Sequence, residues 1–118
     1  MKTQKKIKLL TYSCNVFIII TDELKSQVNS LYKKFKSKDQ FNYEAEGVVV
    51  TFDIDNYYII LDKLYLSHNT IAHELYHAVV KVTEDREIVD EESQAWLMGY
   101  LTEEVYKFIE RKKFNIVK

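Results

Sequence analysis

The segment Thr70-Ile71-Ala72-His73-Glu74-Leu75-Tyr76-His77-Ala78-Val79 places two histidines four residues apart, with a glutamate directly after the first. On a helix, residues i and i+4 lie one above the other on one face. Two imidazoles so placed can reach one tetrahedral ion, with zinc–nitrogen bonds of about 2.0–2.1 Å. Glu74 lies about 100° around the helix from His73. It is off the ligand stripe but within reach of a metal-bound water, and its chemistry would be that of a general base. The competing reading is two solvated histidines on a surface helix. Against it stand Ile71, Ala72, Leu75, Ala78, Val79 and Val82, an apolar stripe on the opposite side. Such a helix can bury one side and present the imidazoles on the other.

A catalytic zinc takes three protein ligands and keeps one position for water. Candidates for the third ligand open the stretch DEESQAWLMGY as Asp90, Glu91 and Glu92. Carboxylates there also suit a helix start, where they complement the positive end of the dipole. Spacing favours Glu92. Glu92, Ala95 and Gly99 share one narrow helical face, and the two small residues would let a neighbouring helix approach closely. Glu91, nearer Met98, is the second choice, or it orients a ligand histidine. His68, Tyr76 and Tyr100 are candidates to stabilise an oxyanion. Each has a plain alternative, as a first-turn residue or an amphipathic tyrosine at the core edge.

HELYH followed by Glu92-Ser93-Gln94-Ala95 resembles the gluzincin pattern, H-E-x-x-H and then E-x-x-A on the next helix. The short chain and its layout resemble the minimal gluzincin-like zincins, which include repressor-cleaving proteases of mobile elements and small phage-encoded zincins. The phrase HELYHAV…EESQAWLMGYL is most similar to the phage group. The resemblance covers roughly Tyr57 to Tyr106. It implies a Zn2+ site with His73, His77 and Glu92 as ligands and Glu74 as the catalytic base. It further implies a protein or peptide substrate, a phage or host protein partner, and peptide pairing along the strand Tyr57–Asp62 as a sheet edge. One departure stands out. Many gluzincins carry Asp or Asn after the alanine, supporting a ligand histidine, and this chain carries Trp96. Two functions follow: a zinc-dependent metalloendopeptidase, or an inactive zincin-fold virion or interaction module with a structural or absent metal.

The elements that must position these residues can be read from pattern. Lys6–Tyr12 and Asn15–Thr21 read as a hairpin turning near Ser13-Cys14-Asn15, the second strand being the β-branched and aromatic run VFIII. Thr21 or Asp22 caps a helix reaching about Lys36, with Leu24, Val28, Leu31, Tyr32 and Phe35 at helical spacing. Ser37 to Glu46 is a polar loop. Gly47–Asp53 and Tyr57–Asp62 read as strands joined by a turn. Ser67 is the expected N-cap of the histidine-bearing helix, which runs to about Val82. Glu84 to Glu87 is a charged loop, and a long helix spans about Asp90 to Phe114. The order β-β-α-β-β-α-α makes residues 1–118 one α+β domain, with a small, mostly antiparallel sheet and helices on one face.

Composition excludes several alternatives. Among 118 residues, 47% are hydrophobic and 30% charged, and the net charge of −1 points to neither nucleic acid nor an anionic membrane. No apolar run approaches the roughly 20 residues of a membrane span. LLTYSCNVFIII is interrupted by polar residues, so it reads as a hairpin rather than a signal peptide. Cys14 is the single cysteine, which excludes an intrachain disulfide and a Cys-based zinc site and fits a reducing, cytoplasmic compartment. Asp53, Asp55 and Asp62 lack the glycine and distal glutamate of an EF-hand, so turn chemistry is the preferred reading.

Overall fold

The β-branched run Val16–Ile20 lies inside a four-stranded sheet, seen in a computed structural model that describes residues 1–117. The strands are β1 (Lys2–Leu9), β2 (Cys14–Thr21), β3 (Gly47–Thr51) and β4 (Asn56–Asp62), in spatial order β1-β2-β4-β3. β1 pairs antiparallel with β2, β2 parallel with β4, and β3 antiparallel with β4. Helix α1 (Leu24–Lys34) makes the crossover between β2 and β3, and α2 (His68–Asp85) and α3 (Glu91–Arg111) follow. The element order, the α+β class and the mostly antiparallel sheet are those read from the sequence.

Two expectations change. The helices divide between the two faces of the sheet rather than sharing one. Val16, Ile18, Ile20, Tyr57, Ile59 and Leu61 face the core built with α2 and α3. Ile19, Tyr58 and Ile60, from alternate positions, face α1 through Leu24 and Val28. Both central strands are therefore apolar on both sides, which explains the continuous runs VFIII and YYIIL. The second change concerns Tyr57–Asp62. It is β4, flanked by β2 and β3, and it is an interior strand rather than a sheet edge.

β1 begins four residues earlier than its apolar pattern suggests. It is an outer strand in which only Ile7 and Leu9 are buried, so Lys2, Lys6 and Lys8 stand in solvent, Lys5 is half-buried, and the lysines hide the strand period. Leu10–Tyr12 forms a 3-10 turn, with Ser13 left-handed at φ 53°. Ser67 does cap α2, its side chain accepting from the Thr70 N–H at 3.0 Å. α2 runs one turn further than expected because Arg86 satisfies its C-terminal end. The Arg86 Nη1 donates to the Val82 carbonyl at 3.2 Å and to the Tyr57 hydroxyl at 2.8 Å, and Nε donates to the Tyr12 carbonyl at 2.8 Å. Asp53 accepts from the Asp55 and Asn56 N–H groups, which is turn chemistry, as preferred over a calcium site.

Candidate metal centre

α2 separates its two faces as its sequence requires. Ile71, Leu75, Ala78, Val79 and Val82 are buried, and His73 and His77 are exposed. The two imidazoles turn toward each other. Their Nε2 atoms are 3.1 Å apart and the ring planes meet at 77°. Two nitrogen ligands about 2.05 Å from one tetrahedral ion stand about 3.3 Å apart. The pair therefore already has nearly the separation that a shared ion needs.

Glu74 occupies the flank between these faces, and its residue is only 7% exposed. It lies beneath the first residue of β3. A Cβ built on Gly47 would fall 2.8 Å from the Glu74 Cγ, 3.1 Å from Leu61 Cδ2 and 3.2 Å from Thr70 Cγ2. Glycine at position 47 is thus what lets strand and helix close over the glutamate. Adjacent contacts hold the same junction. Thr70 Oγ1 donates to Glu46 Oε1 at 3.0 Å, and the Asp62 N–H donates to the Glu46 carbonyl at 2.9 Å. The Glu74 Oε2 is 3.9 Å from His73 Nε2. Burial pushes the Glu74 carboxyl above its ordinary range, while the neighbouring His73 and His77 pull it down.

The acidic start of α3 serves the helix itself, the plainer of the two roles open to it. Asp90 is the N-cap, accepting from the Ser93 N–H at 2.9 Å and from its hydroxyl at 2.6 Å, and these bonds hold its carboxyl below the usual range. Glu91 and Glu92 are exposed in the first turn. Among the described residues, no group of three or more His, Cys, Asp or Glu is placed to hold a metal ion. The structure thus brings His73, His77 and Glu74 together and leaves Glu92 and Glu91 outside the group. The small-residue argument for Glu92 also fails. An added Cβ at Gly99 would meet nothing within 4 Å, and Ala95 is exposed. α3 instead turns Leu97, Leu101, Val105 and Phe108 into the core shared with α2.

Two of the three oxyanion candidates have other contacts. His68 Nδ1 is 2.7 Å from the Tyr106 hydroxyl, with the rings stacked. Tyr100 stacks on Trp96 at 5.4 Å, and Tyr76 is exposed. Trp96 is 54% exposed and also lies beside Tyr12, so it belongs to a surface aromatic cluster on α3. Sequence reasoning missed Gly47 and Glu46. The available signal was a chain with only two glycines, one of them opening a β-branched strand. No helix of the described residues is long and apolar enough to cross a membrane. No protein-family profile, curated protein or solved structure matches the chain.

Proposed function

We propose that this protein is a zinc-dependent metalloendopeptidase of the minimal gluzincin type. The observation that carries the reading is the His73–His77 pair, at 3.1 Å between Nε2 atoms, beside the buried Glu74. His73 and His77 would hold the ion, and Glu92 enters as third ligand on the motif spacing alone. Bound zinc supplies an acidified water and polarises the scissile carbonyl. Glu74 takes the proton of the attacking water and delivers it to the leaving amine. Its burial suits this role, because a carboxylate held under Gly47 has little freedom to swing into solvent. The peptide is an extended segment pairing along β3, the outer strand that crosses Glu74.

The test is metal content and peptide hydrolysis in wild type, Glu74→Gln, His77→Ala, Glu91→Ala and Glu92→Ala. Wild type should hold about one zinc per chain and Glu74→Gln should keep it while losing at least about 100-fold in rate. His77→Ala and Glu92→Ala should lose the metal. Hydrolysis retained by Glu74→Gln sinks the mechanism. Metal lost in Glu91→Ala but kept in Glu92→Ala reassigns the third ligand.

Trp96, which stands where the motif usually carries Asp or Asn, favours a second reading, an inactive zincin-fold interaction module. It expects no turnover by wild type on any peptide panel, with Glu74→Gln behaving identically.

A further inference from the structure

We propose that the outer edge of β1 docks an extended acidic peptide segment as a fifth strand of the sheet. This surface is independent of the histidine pair. In the order β1-β2-β4-β3, β1 has one strand neighbour, β2, so its other side presents backbone donors and acceptors. Eight residues, Lys2–Leu9, make an edge of about 26 Å. That length suits recognition by strand addition, in which main-chain hydrogen bonds give affinity and alternate side chains give specificity.

Charge selects the partner. β1 carries Lys2, Lys5, Lys6 and Lys8 in a chain whose net charge is −1. The lysines that form ion pairs among the described residues are Lys25 and Lys107, and none of the β1 lysines does. A second copy added antiparallel would set these lysines against their equivalents, so the edge rejects its own kind. An acidic strand with carboxylates at alternate positions would instead set them in a row beside Lys2, Lys6 and Lys8, on the face toward α1.

The face toward α1 adds a recess for side chains. α1 packs chiefly on β4 and leaves the β1–β2 half of that face partly open. The resulting groove, about 230 Å³, has Phe17, Ile19 and Tyr58 as its floor and Lys2, Gln4 and Lys34 on its walls. Among the described residues, no carboxylate lines it. Gln4 lies opposite Ile19 and Lys6 opposite Phe17, so the side chains of an added strand on this face would stand beside Gln4 and Lys6, at the rim of the groove. A groove walled by lysines suits carboxylates better than nucleobases. Phe17 and Tyr58 stack on each other at 4.9 Å, and Tyr58 is only 6% exposed, so its ring is no free stacking platform.

The probe is a fluorescein-labelled decapeptide alternating Glu with Val, titrated with the full chain and read by anisotropy. Saturable binding is expected, weakening about tenfold between about 50 and about 300 mM salt. The triple variant Lys2→Glu, Lys6→Glu, Lys8→Glu should weaken it more than about tenfold. These side chains are exposed, and an unchanged circular dichroism spectrum verifies the fold. A single Lys34→Glu, on α1, should weaken binding about threefold without altering the strand. N-methylation of alternate peptide residues should abolish binding. The proposal is overturned by absence of binding, by equal binding of the N-methylated peptide, or by equal binding of a Lys–Val decapeptide. Tighter binding of a dodecathymidine oligonucleotide also overturns it.

Discussion

Gly47→Ala tests the junction on which the candidate centre rests. The new methyl carbon would fall 2.8 Å from Glu74 Cγ, with Leu61 Cδ2 at 3.1 Å and Thr70 Cγ2 at 3.2 Å. A contact below 3.0 Å forces a shift. Glu74 Cγ lies in mid-chain of a residue that is 7% exposed, so it cannot simply swing away. Overpacking of this kind costs about 1–3 kcal/mol. Replacing glycine also restricts the unfolded chain and returns about 0.4–1 kcal/mol. The expected net loss is about 1–2 kcal/mol, read from urea denaturation at neutral pH.

The chain supplies its own control, since Gly99 is its other glycine. A Cβ there meets nothing within 4 Å on an exposed stretch of α3, so Gly99→Ala should stabilise by about 1 kcal/mol. The two substitutions are chemically identical and should differ in sign. A double-mutant cycle locates the clash. In a Glu74→Ala background the loss from Gly47→Ala should shrink by about 1 kcal/mol. If Gly47→Ala unfolds at or above the wild-type midpoint, the close approach of β3 to α2 is refuted. If the loss is unchanged without Glu74, the glutamate is not what the glycine accommodates.

Two further predictions concern the clamp at the far end of α2. Arg86→Ala removes the bonds to the Tyr12 and Val82 carbonyls and to the Tyr57 hydroxyl, and should cost about 3 kcal/mol by guanidinium denaturation; a loss below about 1 kcal/mol would show the clamp to be ornamental. The Tyr57 phenol is pushed up to about 12 by burial and by its hydrogen bond to Asp85. The folded state then keeps a proton that an unfolded tyrosine releases near pH 10, so stability from this group is full below pH 10 and is lost as pH rises through about 12, by about 1–2 kcal/mol. Urea midpoints of wild type and Tyr57→Phe should therefore converge between about pH 9 and about pH 11.5, and parallel curves would contradict the assignment.

What was legible in the chain follows from what each signal measures. The order of elements was readable because central strands and amphipathic helices carry strong local patterns, and the Ser67 cap and the i, i+4 histidines are local in the same way. Pairing order is not local. Nothing in YYIIL distinguishes a strand beside β2 from one at an edge except its apolar character on both faces. That character, reconsidered, argues for an interior strand, and the structure places it there. The start of β1 is hidden because lysines are tolerated on an outer strand and erase the period of two. The face of α3 is ambiguous for a different reason. Ala95 and Gly99 suit a close helix contact and open solvent equally, and the Leu97–Leu101–Val105 row holds the stronger claim to the core.

Glu74 is where fold and proposed chemistry constrain each other. Burial pushes the Glu74 carboxyl above its ordinary range, so its charged form is disfavoured in the fold. The nearest imidazole nitrogen, His73 Nε2, stands 3.9 Å away, beyond hydrogen-bond distance. The position is unfavourable for a merely structural glutamate, and an apolar residue of similar length would pack under Gly47 more comfortably. A role that needs a fixed, poorly solvated base beside two imidazoles accounts for the choice. It also accounts for the strand above it. A peptide added to β3 would lie about 4.8 Å from that strand, and Gly47 of β3 closes directly over Glu74. The glycine would thus bring the backbone of a bound peptide close to the base. Glu74→Leu should consequently raise the unfolding midpoint while removing hydrolysis, separating stability from activity at a single residue. A destabilised Glu74→Leu would instead make the glutamate a structural element.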